Sequence, residues 1–125
     1  MEGKYLSLSQ IGAYTISLHL ANYIWNIVLK FNYFEKDTIG KQLARSIDSI
    51  SANIAEGFGR YGKKDKIKFY RYSFGSMKES QDWVYKCYVR NIIKKENYDY
   101  IMTKLHKLPK EINSLISYTE QKLKI

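Results

Sequence analysis

Apolar residues recur in this chain at helical spacing in four blocks. In the first, Leu20, Ile24, Ile27 and Phe31 step four, three and four, so they share one helical face. Tyr14, Leu18, Trp25 and Val28 widen the apolar surface beyond that stripe. A helix over 9–31 is expected, central in the core or set at a subunit interface, with Trp25 and Trp83 as core or interface anchors. In the second block Leu43, Ile47, Ile50 and Ile54 repeat the same steps and predict a helix over 37–58. Asp37 or Thr38 can cap its first amides, and Gly57 and Gly59 suit a left-handed turn at its end. The third block carries Ile67, Tyr70, Phe74, Met77, Gln81 and Val84 in alternating steps of three and four. That is a heptad-like core stripe on a helix over 63–91. Gly75 and Ser76 fall inside it, where glycine costs roughly 1 kcal/mol relative to alanine. Close approach of a neighbouring helix is the expected reason.

In the fourth block Ile101, Leu105, Leu108, Ile112 and Leu115 predict a helix over 98–123, with Asn97 as its cap. Pro109 interrupts it, because proline removes a helical hydrogen bond and crowds the carbonyl of Leu105. The apolar phase runs on through Pro109, so a kink is expected rather than a break. Nothing alternates as a strand does, and there is no Asn-Gly or Asp-Gly hairpin and no internal repeat. The links over 32–36, 60–62 and 92–96 are short. Together these features predict a single all-α domain over 1–125, an antiparallel up-down-up-down four-helix bundle with helix four kinked near Pro109.

Composition narrows the partner. The chain has 125 residues, 21 Lys and Arg against 12 Asp and Glu, and a formal net charge of +9. This balance favours an anionic partner, nucleic acid before acidic lipid or protein. A single cysteine excludes an internal disulfide framework and a multi-cysteine metal site. Residues 5–29 carry no Lys, Arg, Asp or Glu, yet Ser7, Ser9, Gln10, Thr15, Ser17, His19, Asn22 and Asn26 make the stretch too polar to span a membrane. The start, Met1-Glu2-Gly3-Lys4, lacks the pattern of a signal peptide. A cytoplasmic protein with no membrane partner and a reduced thiol at Cys87 is expected.

The sharpest chemical feature is the stretch 60–71. It holds Arg60, Lys63, Lys64, Lys66, Lys68 and Arg71 against Asp65, a local net of five positive charges. Lys64, Lys68 and Arg71 step four and three, so they share a face away from Ile67, Tyr70 and Phe74. The free amides of a helix start add to their pull on anions. Phe69, Tyr70 and Tyr72 lie among the cations and could stack on unpaired bases. A solvated charged face over buried aromatics is the alternative. Contacts to phosphate would give weak sequence preference and strong salt dependence. A second cluster, Lys104, Lys107, Lys110, Lys122 and Lys124 with Glu111 and Glu120, lies near the C-terminus.

The second block ends Ser49-Ile50-Ser51-Ala52-Asn53-Ile54-Ala55-Glu56-Gly57-Phe58-Gly59-Arg60. With Thr38-Ile39-Gly40-Lys41-Gln42-Leu43 upstream, and Lys63-Lys64-Asp65-Lys66, Gly75-Ser76 with Glu79, and Leu108-Pro109-Lys110-Glu111-Ile112 downstream, it resembles the four helix bundle protein family. That family includes proteins encoded in intervening sequences of bacterial large-subunit ribosomal RNA genes. It also includes the accessory variability determinants of diversity-generating retroelements. The resemblance implies a bundle that assembles as a homopentamer, without known enzymatic activity. For the retroelement branch it implies binding of nucleic acid, RNA or DNA, and of a reverse transcriptase. The motif residues Asn53, Glu56, Gly57, Gly59, Gly75, Ser76 and Glu79 read as structural. Asn53 is expected to bond across the bundle and Glu56 to pair with a nearby Lys or Arg.

Catalysis finds little support in the residues. His19 and His106 are far apart and outside any metal-ligand motif, and a lone histidine on an apolar helix reads as a hydrogen-bonded core residue. No Glu-x-x-His pair of the di-iron type occurs, and no Arg stands four to six residues before a His. Cys87 lies among Tyr85, Tyr88 and Val89 and reads as a buried thiol. The expectation is a non-enzymatic, self-assembling protein without cofactor or metal. It would bind nucleic acid nonspecifically through helix three, as an accessory to a nucleic-acid-processing partner. Two other readings stay open: a protein adaptor, for example for a reverse transcriptase, and a purely structural oligomer.

Overall fold

The structure, a computed structural model, describes residues 7–123. The reading of the N-terminus over 1–4 and Lys124 of the second basic cluster lie outside those residues. A 3-10 turn, Leu8–Gln10, leads into α1, Gly12–Val28. Next comes a continuous helical segment, α2, over 33–59. It opens with Tyr33–Glu35, widens into a π-helical turn at Lys36–Gly40, and continues as Lys41–Gly59. α3 is Lys63–Val89, α4 is Lys95–Leu105 and α5 is Leu108–Lys122. Among the described residues no strand forms. The described residues are therefore all-helical, with four helical segments, the fourth divided into α4 and α5.

α2 starts earlier than Asp37 or Thr38 would place it. Asn32 is the cap: its side-chain oxygen accepts from the Glu35 amide at 2.8 Å, and the Glu35 carboxylate accepts from the Asn32 amide at 3.1 Å. This reciprocal capping box satisfies two otherwise orphan donors. α3 ends at Val89 because Asn91 takes a left-handed turn, with φ of 60°. The Ile92 amide then donates to the Cys87 carbonyl at 2.8 Å and the Asn91 amide to the Tyr88 carbonyl at 3.0 Å. That is a Schellman ending with asparagine in the place glycine usually takes. Asn97 is not the cap of the fourth segment. Lys94 is, and the Asn97 amide nitrogen donates to the Tyr23 hydroxyl at 2.9 Å. Where a kinked continuous helix was expected, a two-residue turn at His106 and Lys107 separates α4 from α5. Pro109 then lies in the first turn of α5, where its missing amide costs nothing.

The core lies among all four segments. α2 packs against α1 and α3, and α5 against α3 and α1. Leu43, Ile47, Ile50, Ile54, Ile101, Leu105, Leu108, Ile112 and Leu115 are buried, as their periodicity implies. On α3 the stripe shifts. Phe74 and Gln81 are half-buried, and the fully buried positions between Tyr70 and Val84 are Ser73, Met77 and Ser80. The Ser73 hydroxyl donates to the Ile50 carbonyl at 2.8 Å and the Ser80 hydroxyl to Ser46 Oγ at 3.0 Å. Small side chains bring α2 and α3 close, and each buried hydroxyl is satisfied. Trp25 is half exposed and takes no place in the core, and His19 is exposed rather than a core histidine. Among the described residues no helix is long and apolar enough to cross a membrane.

Candidate nucleic-acid interface

α3 begins one turn after α2 ends, so the predicted cations gather at one end of the molecule. Their roles divide. Lys66 is half-buried, and its ammonium donates to the carbonyl oxygens of Phe58 at 2.8 Å and Gly57 at 3.4 Å. It closes the C-terminus of α2, where unpaired carbonyls favour a cation. Burial lowers its pKa. Lys63 donates to the Glu120 carbonyl at 3.1 Å, tying the start of α3 to the end of α5. Arg60 pairs with Glu56 at 2.8 Å and more loosely with Asp65 at 3.8 Å, and its guanidinium lies 4.7 Å from the centre of the Phe69 ring. Glu56 thus takes the cationic partner expected of it. Asn53 does not reach across the bundle: its amide donates one turn back, to the Ser49 carbonyl at 2.9 Å.

The other three cations face solvent. Lys64, Lys68 and Arg71 are exposed, and of these Lys68 has an ion partner, Asp65 at 3.7 Å. Exposed pairs at that distance are weak and screened. Among the described residues, Lys64 and Arg71 have no ion pair. The stripe does not stop at Arg71. The same four-three stepping reaches Gly75 and Lys78, both exposed. Lys78 lies beyond the dense charge cluster, although the four-three spacing already contains it.

The aromatic residues also divide. Tyr70 is buried, so it cannot meet a base, and burial pushes its phenol up to about 12. Phe69 is covered edge-on by Tyr72, with ring centres 5.5 Å apart, and by Arg60. Tyr72 keeps 51% of its surface exposed and Tyr61, in the turn before α3, keeps 79%. Tyr61 stands outside the helical pattern, which gives no signal for it. A groove of about 200 Å³ opens beside Arg71, lined by Phe74, Asn113 and Ile116. Of the second basic cluster, Lys107, Lys110 and Lys122 are exposed, while Lys104 lies half-buried over the Tyr100 ring at 5.4 Å.

The glycines of the motif do different work from that expected. Neither Gly57 nor Gly59 takes a left-handed conformation. Gly57 is buried against α3: a methyl there would meet Tyr70 at 2.6 Å and the Lys66 carbonyl at 2.9 Å. Gly59 has open space around it, and so does Gly75. Gly75 is therefore not a point of helix packing. Glu79 accepts from the Trp83 indole at 3.1 Å.

Residues 9–114 match the family described as 23S rRNA-intervening sequence proteins. The chain belongs to that family. A solved structure of a protein of unknown function from the S23 ribosomal protein family of Bacteroides thetaiotaomicron is similar at 27% identity with a TM-score of 0.75. The match covers 83% of this chain and 97% of that one. Among the curated proteins nothing matches. The matched region spans α1, α2, α3, α4 and the first half of α5, so it contains the whole α3 surface just described.

Proposed function

We propose that this family member is a non-enzymatic, cytoplasmic, self-assembling up-down-up-down bundle that binds nucleic acid through the solvent face of α3. The observation that carries the reading is the row Lys64, Lys68 and Arg71, exposed on one face and with little carboxylate opposition. Cations in such a row neutralise successive phosphates and release counterions. They read no base edge, so the binding is nonspecific in sequence. Self-assembly is supported by the opposite end of the molecule. Trp25 and Leu29 are half exposed, and Tyr33 and Phe34 stand 81% and 74% exposed just after them. Large apolar side chains exposed in this way, here beside Lys30, Lys36 and Asp37, are usually covered by a partner. The family resemblance favours a pentamer, which would repeat the basic face several times and raise avidity.

The test is binding of a short labelled RNA and a matched DNA across a salt series, beside a variant carrying Lys64→Glu, Lys68→Glu and Arg71→Glu. The expected result is micromolar or tighter binding that falls steeply with salt and is lost in the variant at unchanged far-UV helicity. Unchanged affinity in the variant would sink the site. Light scattering that shows a monomer at tens of micromolar would refute self-assembly.

A further inference from the structure

Gly75 lies in the middle of α3, fully helical and exposed, with nothing within 4 Å of where its Cβ would be. Glycine is unfavourable there, and among the described residues no packing contact or backbone conformation requires it. Its place on the helix is specific. Lys64, Lys68, Arg71, Gly75 and Lys78 fall in steps of four, three, four and three, so the bare backbone sits inside the cationic stripe. Tyr72 is exposed on the adjoining line of the same surface. The groove beside Arg71 borders it on the α5 side.

We propose that Gly75 is the point of closest approach of a single-stranded nucleic acid, whose phosphates run along Lys64, Lys68, Arg71 and Lys78 while an unpaired base stacks on Tyr72. The inference rests on the nucleic-acid reading above and adds to it the strand type, two further residues and a steric requirement. A missing side chain lets a sugar–phosphate backbone lie against the helix, close enough for flanking cations to reach it on both sides. Stacking on an exposed ring needs an unpaired base, which a duplex does not offer. A second copy of the chain is the competing occupant. A two-fold contact centred on Gly75 would set Arg71 and Lys68 of each copy toward the exposed Glu79 and Asp82 of the other, so a change of assembly on filling Gly75 is the outcome that separates the two occupants. The cationic row Lys64, Lys68, Arg71 and Lys78 outweighs those two carboxylates and favours a polyanion.

The test uses the full chain with labelled polyuridylate and with a labelled RNA duplex, comparing wild type, Gly75→Ala, Gly75→Leu and Tyr72→Ala. Both Gly75 substitutions add helix propensity, so Tm should rise, by about 4 °C for alanine. Polyuridylate affinity should nevertheless fall, by about tenfold for leucine. Tyr72→Ala should weaken polyuridylate more than duplex. Salt-sensitive binding by wild type with equal affinity in Gly75→Leu would overturn this inference and leave the basic-face reading intact. Absence of any binding by wild type would overturn both. Loss of self-assembly in Gly75→Leu at unchanged affinity would assign the glycine to a subunit contact and overturn the proposal.

Discussion

Gly57 packs directly against the ring of Tyr70. A Cβ built on the glycine would stand 2.6 Å from Tyr70 Cε1 and 2.9 Å from the Lys66 carbonyl oxygen. Both neighbours are fixed, one by burial and the other by the α3 backbone, so neither can yield cheaply. Gly57→Ala should therefore destabilise the fold by about 2 kcal/mol, against a helix-propensity gain of about 1 kcal/mol for the same change in open space. Gly59→Ala, two residues on and unobstructed, should be neutral or stabilising. Urea denaturation of the two variants decides it. A Gly57→Ala protein as stable as wild type would mean that the α2–α3 contact is looser than described.

The core helices were legible because their apolar residues are large and periodic. Leu43, Ile47, Ile50 and Ile54 announce a face whatever surrounds them. What escaped the pattern was decided by small or polar residues. Ser73 and Ser80 look like surface positions in sequence, yet their hydroxyls are bonded into the α2–α3 interface at Ile50 and Ser46. Asn91 looks like one more helical residue, and its left-handed turn ends α3. Glycines were ambiguous in the same way. Gly57 and Gly75 cost the helix the same intrinsic propensity, and only the space around each shows that one is packed and the other open. The basic cluster was legible as a cluster, while the division of labour inside it depended on which carbonyls lay within reach of each ammonium.

That division yields a contrast between Lys66 and Lys64, two residues apart in sequence. Lys66 closes the end of α2 on Gly57 and Phe58. Lys64 is exposed and, among the described residues, has no ion pair. Lys66→Met should lower stability by about 1 kcal/mol, since a hydrogen bond from a charged donor is lost and two carbonyls are left to water. Its RNA affinity should stay within about twofold of wild type. Lys64→Met should do the reverse, leaving urea stability unchanged while reducing affinity and making its salt dependence shallower by about one phosphate contact. Equal effects of both substitutions on affinity would remove the distinction between a structural and a ligand-facing lysine.

The two most deeply placed titrating groups of the core set its behaviour in alkali. Cys87 is fully buried on α3, and burial pushes its thiol up to about 11, with Arg90 pulling it partly back and Glu35 adding to the rise. Burial likewise holds the Tyr70 phenol at about 12. In the unfolded chain these groups titrate near their ordinary values of about 9 and 10. Above pH about 9 the unfolded chain therefore gives up a thiol proton that the folded chain keeps. The unfolded state then binds fewer protons, so stability falls as pH rises. The loss from Cys87 accumulates to roughly 2–3 kcal/mol by pH about 11, and Tyr70 begins to add its own above pH about 10. Urea midpoints measured between pH 8 and 11 should decline along this course. In Cys87→Ala the decline between pH 9 and 10 should be flatter, even though the starting stability is lower because of the cavity. The same burial makes the thiol a poor nucleophile. At pH 8 native protein should resist maleimide while urea-unfolded protein reacts at once. An identical pH slope in Cys87→Ala, or rapid labelling of native protein, would show that the thiol is open to solvent.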